Sequence, residues 1–226
     1  MSRSRVGSAA LRRVVLVALF GALAYVLMIL IHFPVSFLTL DIKDVFITLC
    51  GLYFGPLSAL TLSVLVPLLE FMTVSDTGVY GLIMNFLGSA TFSVTASLIY
   101  KYKKSFLGAI IGLCAAVVAM VAVMLTFNLL ITPLFMKTTV DVVRTLIPTL
   151  LLPFNAVKGV FNAALVLFLY KPISSVMQRM GAIPKSEHPY RFDLRTLLVG
   201  LISLALIACS LFVIFGVLGG KFTFGF

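Results

Sequence analysis

Asn155, Lys158 and Asn162 lie three and four residues apart inside the apolar stretch 149–170, a spacing that gathers all three on one face of a helix. An ammonium group at the middle of a membrane helix costs on the order of 3 kcal/mol by insertion scales, so Lys158 should face a cavity, a ligand or a protein interior. Asn85 and Asn128 stand within about two turns of the ends of two further apolar stretches, 79–100 and 106–131. A carboxamide offers a donor and an acceptor side by side. Asn85, Asn128 and Asn155 meeting Lys158 in one layer would therefore suit a flat, uncharged heterocycle in a pocket of apolar walls and few polar anchors. An interhelical hydrogen bond accounts equally well for Asn162. A strongly anionic ligand would require more cations than Lys158, Lys137 and Arg144 supply. Thr39 and Asp41, in the connection 32–44, are placed to form part of a lid over such a pocket.

Other chemistries find less support. The chain has no GxxxxGK[ST] loop, GxSxG, HExxH or CxxC, so it is not expected to hydrolyse ATP, to be an enzyme or to carry a metal or cofactor. Any energy for transport must come from a partner or an ion gradient. An intramembrane enzyme pairing Lys158 with Glu70 as acid and base, or an autonomous proton-coupled permease, is the alternative of a different class. Cys50, Cys114 and Cys209 each sit within an apolar run and are expected to be small buried hydrophobes. Asp44, Glu70 and Asp76 are expected at solvated helix ends and loops. Ala18 and Ala22, with Gly21 beside them, would let another helix approach the first one closely.

The elements that must position these groups follow from composition. Hydrophobic residues make up 62% of the 226 residues, and the mean hydropathy is +1.20, well beyond a soluble domain. The bilayer is the solvent. Apolar runs occupy 14–31, 79–100, 106–131, 149–170 and 196–218. The first is too long for a signal-peptide core. The segment 45–72 is interrupted by Gly55-Pro56 and is expected to fold as a hairpin of two helices, the first of them short enough to be re-entrant.

The net charge of +10 points to no nucleic acid, because the basic residues fall in short stretches between apolar runs. Under the positive-inside rule, Arg3, Arg5, Arg12 and Arg13 put the N-terminus in the cytoplasm, and the stretch 101–104 belongs on the same side. Seven crossings satisfy both and leave the C-terminus extracellular. The expected organisation is a six-helix membrane domain over 1–172, a cytoplasmic link over 173–195 read as loop from its Gly and Pro content, and an additional transmembrane helix with its tail over 196–226.

Several stretches together resemble the riboflavin-specific substrate-binding subunits of energy-coupling factor (ECF) transporters in bacterial plasma membranes. They are Ala18 to Ala22 (ALFGA), Gly55-Pro56-Leu57, Met84-Asn85-Phe86, Asn128 followed by Pro133-Leu134, and, most specific, Pro153-Phe154-Asn155 with Lys158-Gly159. The resemblance implies an all-α, six-helix S-component bundle with an outward pocket for riboflavin, lidded by its first and third outer loops. Asn85, Asn128, Asn155 and Lys158 would then hydrogen-bond the isoalloxazine or ribityl groups. Ala18 and Ala22 would dock on a transmembrane coupling subunit (EcfT-like) that works with two cytoplasmic ATPases (EcfA-like). The helix from Thr196 onward is additional to the family's six. The same architecture would also serve an S subunit for another vitamin.

Overall fold

A computed structural model describes residues 2–184 and 194–221. The chain opens with helix α1 (Ser2–Leu30), turns through a hairpin of strands β1 (His32–Val35) and β2 (Leu38–Asp41), and enters α2 (Lys43–Phe54). There follow α3 (Pro56–Thr73), α4 (Gly78–Tyr102), α5 (Phe106–Met136) and a short α6 (Val140–Leu146). A π-helical turn (Ile147–Leu151) joins α6 to α7 (Leu152–Arg179), and α8 (Leu194–Phe212) ends in another π-turn (Val213–Val217).

Local chemistry explains most of the boundaries. Gly55, at φ 94°, adopts a backbone that L side chains rarely take and ends α2. Pro56 starts α3, where its missing N–H costs nothing. The Ser105 hydroxyl caps α5 by accepting from the Gly108 N–H at 3.0 Å, and Lys137 closes it in the left-handed region.

Among the described residues six helical stretches are long and apolar enough to cross a membrane: Ala10–Leu30, Pro56–Thr73, Gly78–Tyr102, Phe106–Met136, Val140–Arg179 and Thr196–Val217. The expected break at Gly55-Pro56 is present, but its first arm is no seventh long span. At 12 residues, α2 is about 18 Å long and is enclosed by the other helices, with ten of those residues buried. It lies alongside α3, from Glu70, which Lys43 contacts, to Ser58, which Arg13 reaches together with the Phe54 carbonyl. The main core forms around it, from Leu16, Phe20 and Ala24 of α1, Leu62 and Val66 of α3, and Phe92 and Ala96 of α4. Backbones approach closely here. A Cβ on Gly51 would lie 2.8 Å from that of Ala59, and one on Gly112 would lie 2.8 Å from the Ala96 carbonyl oxygen.

Several expectations need correction. The helical bundle carries a two-stranded antiparallel hairpin, paired from His32↔Asp41 to Val35↔Leu38, where the all-α reading placed a lid segment without strands. Helix α7 runs through Pro172 to Arg179, so helix occupies the first seven residues of the stretch 173–195 read as loop. Cys50 is buried, but Cys114 and Cys209 are exposed on outer faces.

One end of the bundle collects the basic stretches. Arg12 donates to the Gly181 carbonyl at 3.2 Å, and Arg13 bonds the Phe54 carbonyl at the end of α2. The Tyr53 hydroxyl donates to the Tyr170 carbonyl at 2.8 Å, and the Tyr100 and Tyr170 hydroxyls lie 2.6 Å apart. These contacts put residues 101–104, which close α4 and follow it, at the same end of the bundle as Arg12 and Arg13 of α1. The hairpin lies at the opposite end, here termed the lid end.

Candidate functional site

Thr39, Asp41, Asn85, Asn128, Asn155 and Lys158 all border one cavity at the lid end. About 170 Å³ of it is open to water-sized molecules, far more than the roughly 15 Å³ that one water needs. Met28, Phe37, Tyr80, Met84, Met124 and Phe135 supply much of the apolar wall. The six polar residues arrive on four separate elements, the hairpin, α4, α5 and α7.

The carboxamides are held by their own helices or a neighbour. Asn155 donates to the Leu151 carbonyl at 2.7 Å, at the end of the π-turn that leads into α7. Asn128 donates to the Met124 carbonyl at 2.7 Å, and its Oδ1 accepts from the Thr132 hydroxyl at 2.8 Å. Asn85 donates across to Glu70 Oε1 at 2.9 Å. These bonds fix the rotamers, which preorganises what each amide can still offer a guest.

One wall is a charge network that sequence reasoning missed. Lys158 Nζ donates to Asp41 Oδ2 at 3.0 Å and to the Thr39 carbonyl at 3.1 Å. Lys43 Nζ donates to the same Asp41 oxygen at 3.2 Å and to Glu70 Oε2 at 2.8 Å. The Ser89 hydroxyl donates to Asp44 Oδ1, and Asn162 donates to Asp44 Oδ2 at 3.4 Å. Asp44 and Lys43 are each 1% exposed, and the Glu70 side chain is 17% exposed. Asp44 and Glu70 are therefore internal groups rather than solvated helix ends. Burial by itself would raise the Asp41 carboxyl, but Lys158 and Lys43 beside it outweigh that and hold it down at about 2. Asp41 is thus ionised at neutral pH and ties the hairpin to α2 and α7. The available signal was the run Asp41-Ile42-Lys43-Asp44 directly before a continuous apolar stretch.

The residues singled out on α1 divide. Ala18 and Ala22 are exposed. Gly21 is buried, and a Cβ there would lie 2.8 Å from Leu62 Cδ2 of α3, so this glycine serves packing within the chain and not an outer docking face. Helix α8 packs on α7.

Comparisons with known proteins agree with this architecture. The family "ECF transporter, substrate-specific component" matches residues 12–173. "Riboflavin transporter RibU" of Staphylococcus aureus (strain TCH60) is 29% identical over 179 residues, which cover 75% of this chain and 94% of that protein. "Riboflavin transporter FmnP" of Bacillus subtilis (strain 168) is 26% identical over 162 residues, 66% of this chain and 85% of that protein. A solved S component of a bacterial ECF transporter superposes with a TM-score of 0.64 at 30% identity, over 74% of this chain and 98% of its own.

Proposed function

The chain belongs to the substrate-specific components of ECF transporters, and from that premise we propose that its lid-end cavity captures riboflavin for import. It is a multi-pass membrane transport subunit and not an enzyme. The observation that carries the ligand assignment is the meeting of Asn85, Asn128, Asn155 and Lys158 around one apolar-walled chamber. Two proteins named as riboflavin transporters among its relatives support the same choice.

The chemistry suits that ligand. An isoalloxazine ring carries an imide with donor and acceptors in one edge, which amide side chains complement. Methionine and aromatic walls take its flat faces. Lys158 uses two of its three ammonium protons on Thr39 and Asp41, which leaves the third for a ring carbonyl or ribityl hydroxyl. Both lysines here are already paired with carboxylates, Lys43 with Asp41 and Glu70 and Lys158 with Asp41. That pairing favours the neutral vitamin over its phosphorylated, anionic forms.

The orientation that follows from the basic end places the N-terminus in the cytoplasm and the lid outside, in a bacterial plasma membrane. Family members associate with a transmembrane coupling subunit and ATPases, and the exposed Ala18 and Ala22 form the flat strip of α1 on which the coupling subunit would dock. Titration of the purified protein with riboflavin, flavin mononucleotide and other vitamins, followed by flavin fluorescence for the flavins and by calorimetry for the rest, is the deciding experiment. Quenching by riboflavin at the lowest concentration is expected; selective binding of a different vitamin would replace the assignment. Ala18→Trp should leave the riboflavin dissociation constant unchanged while reducing co-purification with coupling subunit and ATPases, since a bulky ring holds the facing helix away. Unchanged assembly would remove this face from the docking surface.

A further inference from the structure

Helix α8 lies beyond the family's matched region, which ends at residue 173. The solved S component is covered over 98% of its length by only 74% of this chain, so α8 is an addition to a complete binding bundle. It is tied down at both ends. At the basic end Lys171 donates to the Thr196 hydroxyl and sits 5.3 Å from the centre of the Phe106 ring.

At the other end α8 meets the lid. Ile214, fully buried, packs in a cluster with Phe33, Val35 and Leu40 of the hairpin and Phe154 and Phe161 of α7. The Phe215 ring stands edge-on to Phe33 at 5.4 Å and 82°, an arrangement aromatic pairs favour. The wider π-turn Val213–Val217 turns both of these consecutive residues toward the hairpin cluster, a local role typical of such turns. Beyond it the Lys221 N–H donates to the Pro34 carbonyl at 3.1 Å. That bond occupies the free edge of β1, where proline offers an acceptor but no donor.

We infer that α8 is an intramolecular brace for the lid, with Ile214, Phe215 and the Lys221 N–H as positioning groups that hold Thr39 and Asp41 over the cavity and slow the departure of its ligand. The physical basis is the pairing of the strands. Pro34 is opposite Thr39, and His32 is opposite Asp41. A hairpin pinned along β1 therefore carries β2, with both cavity residues, as one unit. Lys158 and Lys43 grip the inner strand through Asp41, while α8 grips the outer one. For the lid to lift with α8 in place, the contacts on one of these sides must break.

The inference rests on the cavity being the ligand site, and the experiment separates the two. Phe215→Ala, Phe33→Ala, the double variant and Lys221→Pro are compared as full-length chains. Riboflavin association and dissociation are followed by stopped-flow fluorescence, and amide hydrogen exchange is followed over residues 33–41. Phe215→Ala should raise the dissociation rate about three- to tenfold, with the association rate nearly unchanged and hairpin exchange faster even without riboflavin. The double variant should fall short of the product of the two single effects, because the two rings share a contact. Lys221→Pro deletes one donor at an exposed position and should reproduce the effect at about two- to fivefold, which keeps the test available should Phe215→Ala fold poorly.

Faster hairpin exchange with an unchanged dissociation rate would overturn the inference, as would no change in either. Should the wild-type chain bind no riboflavin, the vitamin assignment fails. Hairpin exchange in Phe215→Ala and Lys221→Pro then decides the brace by itself, with unchanged exchange counting against it.

Discussion

At the lid end, Asp41, Asp44, Glu70 and Lys158 border an open chamber with Lys43 sealed behind them, whereas at the basic end Tyr53, Tyr100, Tyr170 and Phe106 pack ring against ring at centroid distances near 6 Å. Both ends bury polar groups, but they satisfy them differently. The tyrosine hydroxyls bond one another and the Tyr170 carbonyl, forming closed pairs inside a packed wall. At the lid end each charged group bridges elements, and the amides keep capacity for a guest. Changes at the basic end should therefore alter stability alone, and changes at the lid end should alter stability and binding together.

Lys43 gives the largest expected departure. It holds both Asp41 and Glu70 from a nearly sealed position, so Lys43→Met leaves Glu70 without its cation and Asp41 with only Lys158. Breaking a buried pair from one side costs about 3–5 kcal/mol, to be read as a lowered thermal midpoint in detergent, accompanied by weaker riboflavin binding. A midpoint shift with binding intact would mean that the network is merely structural. Lys158→Ala comes next. It removes a charge-assisted donor, and affinity should fall by about 1.5–3 kcal/mol, roughly ten- to a hundredfold in the dissociation constant. An unchanged constant in the titration would take Lys158 out of the site.

Gly112→Ala probes the close-packed side of the comparison. Its Cβ would meet the Ala96 carbonyl at 2.8 Å, backbone that cannot swing aside, and overpacking of this kind costs about 1–3 kcal/mol. The midpoint should fall while the riboflavin dissociation constant holds. A loss of affinity would show that α4–α5 packing transmits strain to Asn85 and Asn128.

The contrast between the ends also marks what a sequence discloses. The face of Asn155 and Lys158 was legible because helical period and the cost of a membrane ammonium group act locally. The break at Gly55-Pro56 was legible for the same reason. The charge network was not, since Asp44 and Glu70 border apolar runs as solvated helix ends do, and only tertiary packing decides that they turn inward. Helix α2 was expected as a short first arm of the helical hairpin, and enclosure by other helices removes its need for full spanning length. The hairpin lacks an Asn-Gly or Asp-Gly turn; its loop places Ser36 at φ 55°, a strained choice that propensity does not predict. Helix α7 continues through Pro172, as membrane helices tolerate proline where neighbours satisfy the freed groups, whereas the Gly and Pro content that marked the link as loop lies beyond Arg179. Gly21 follows Ala18 by three residues yet lies about 100° round the helix from Ala22, enough to turn it from the outer strip into the contact with Leu62.

Tyr100→Phe should have the smallest effect and isolates one bond of the closed wall. The edge-on packing of the Tyr100 ring against Tyr170, at 6.1 Å and 74°, survives the substitution, so only the 2.6 Å hydroxyl contact is lost. A single neutral hydrogen bond contributes about 0.5–1.5 kcal/mol, and the midpoint should drop accordingly. The Tyr170 hydroxyl is left to find water or another partner at a half-buried position, which places the expected cost toward the lower part of that range. Riboflavin affinity should not move, because every group involved lies at the end of the bundle away from Lys158. A shift in affinity from so small a change would mean that the two ends are coupled through α7, the helix that carries both Tyr170 and Lys158.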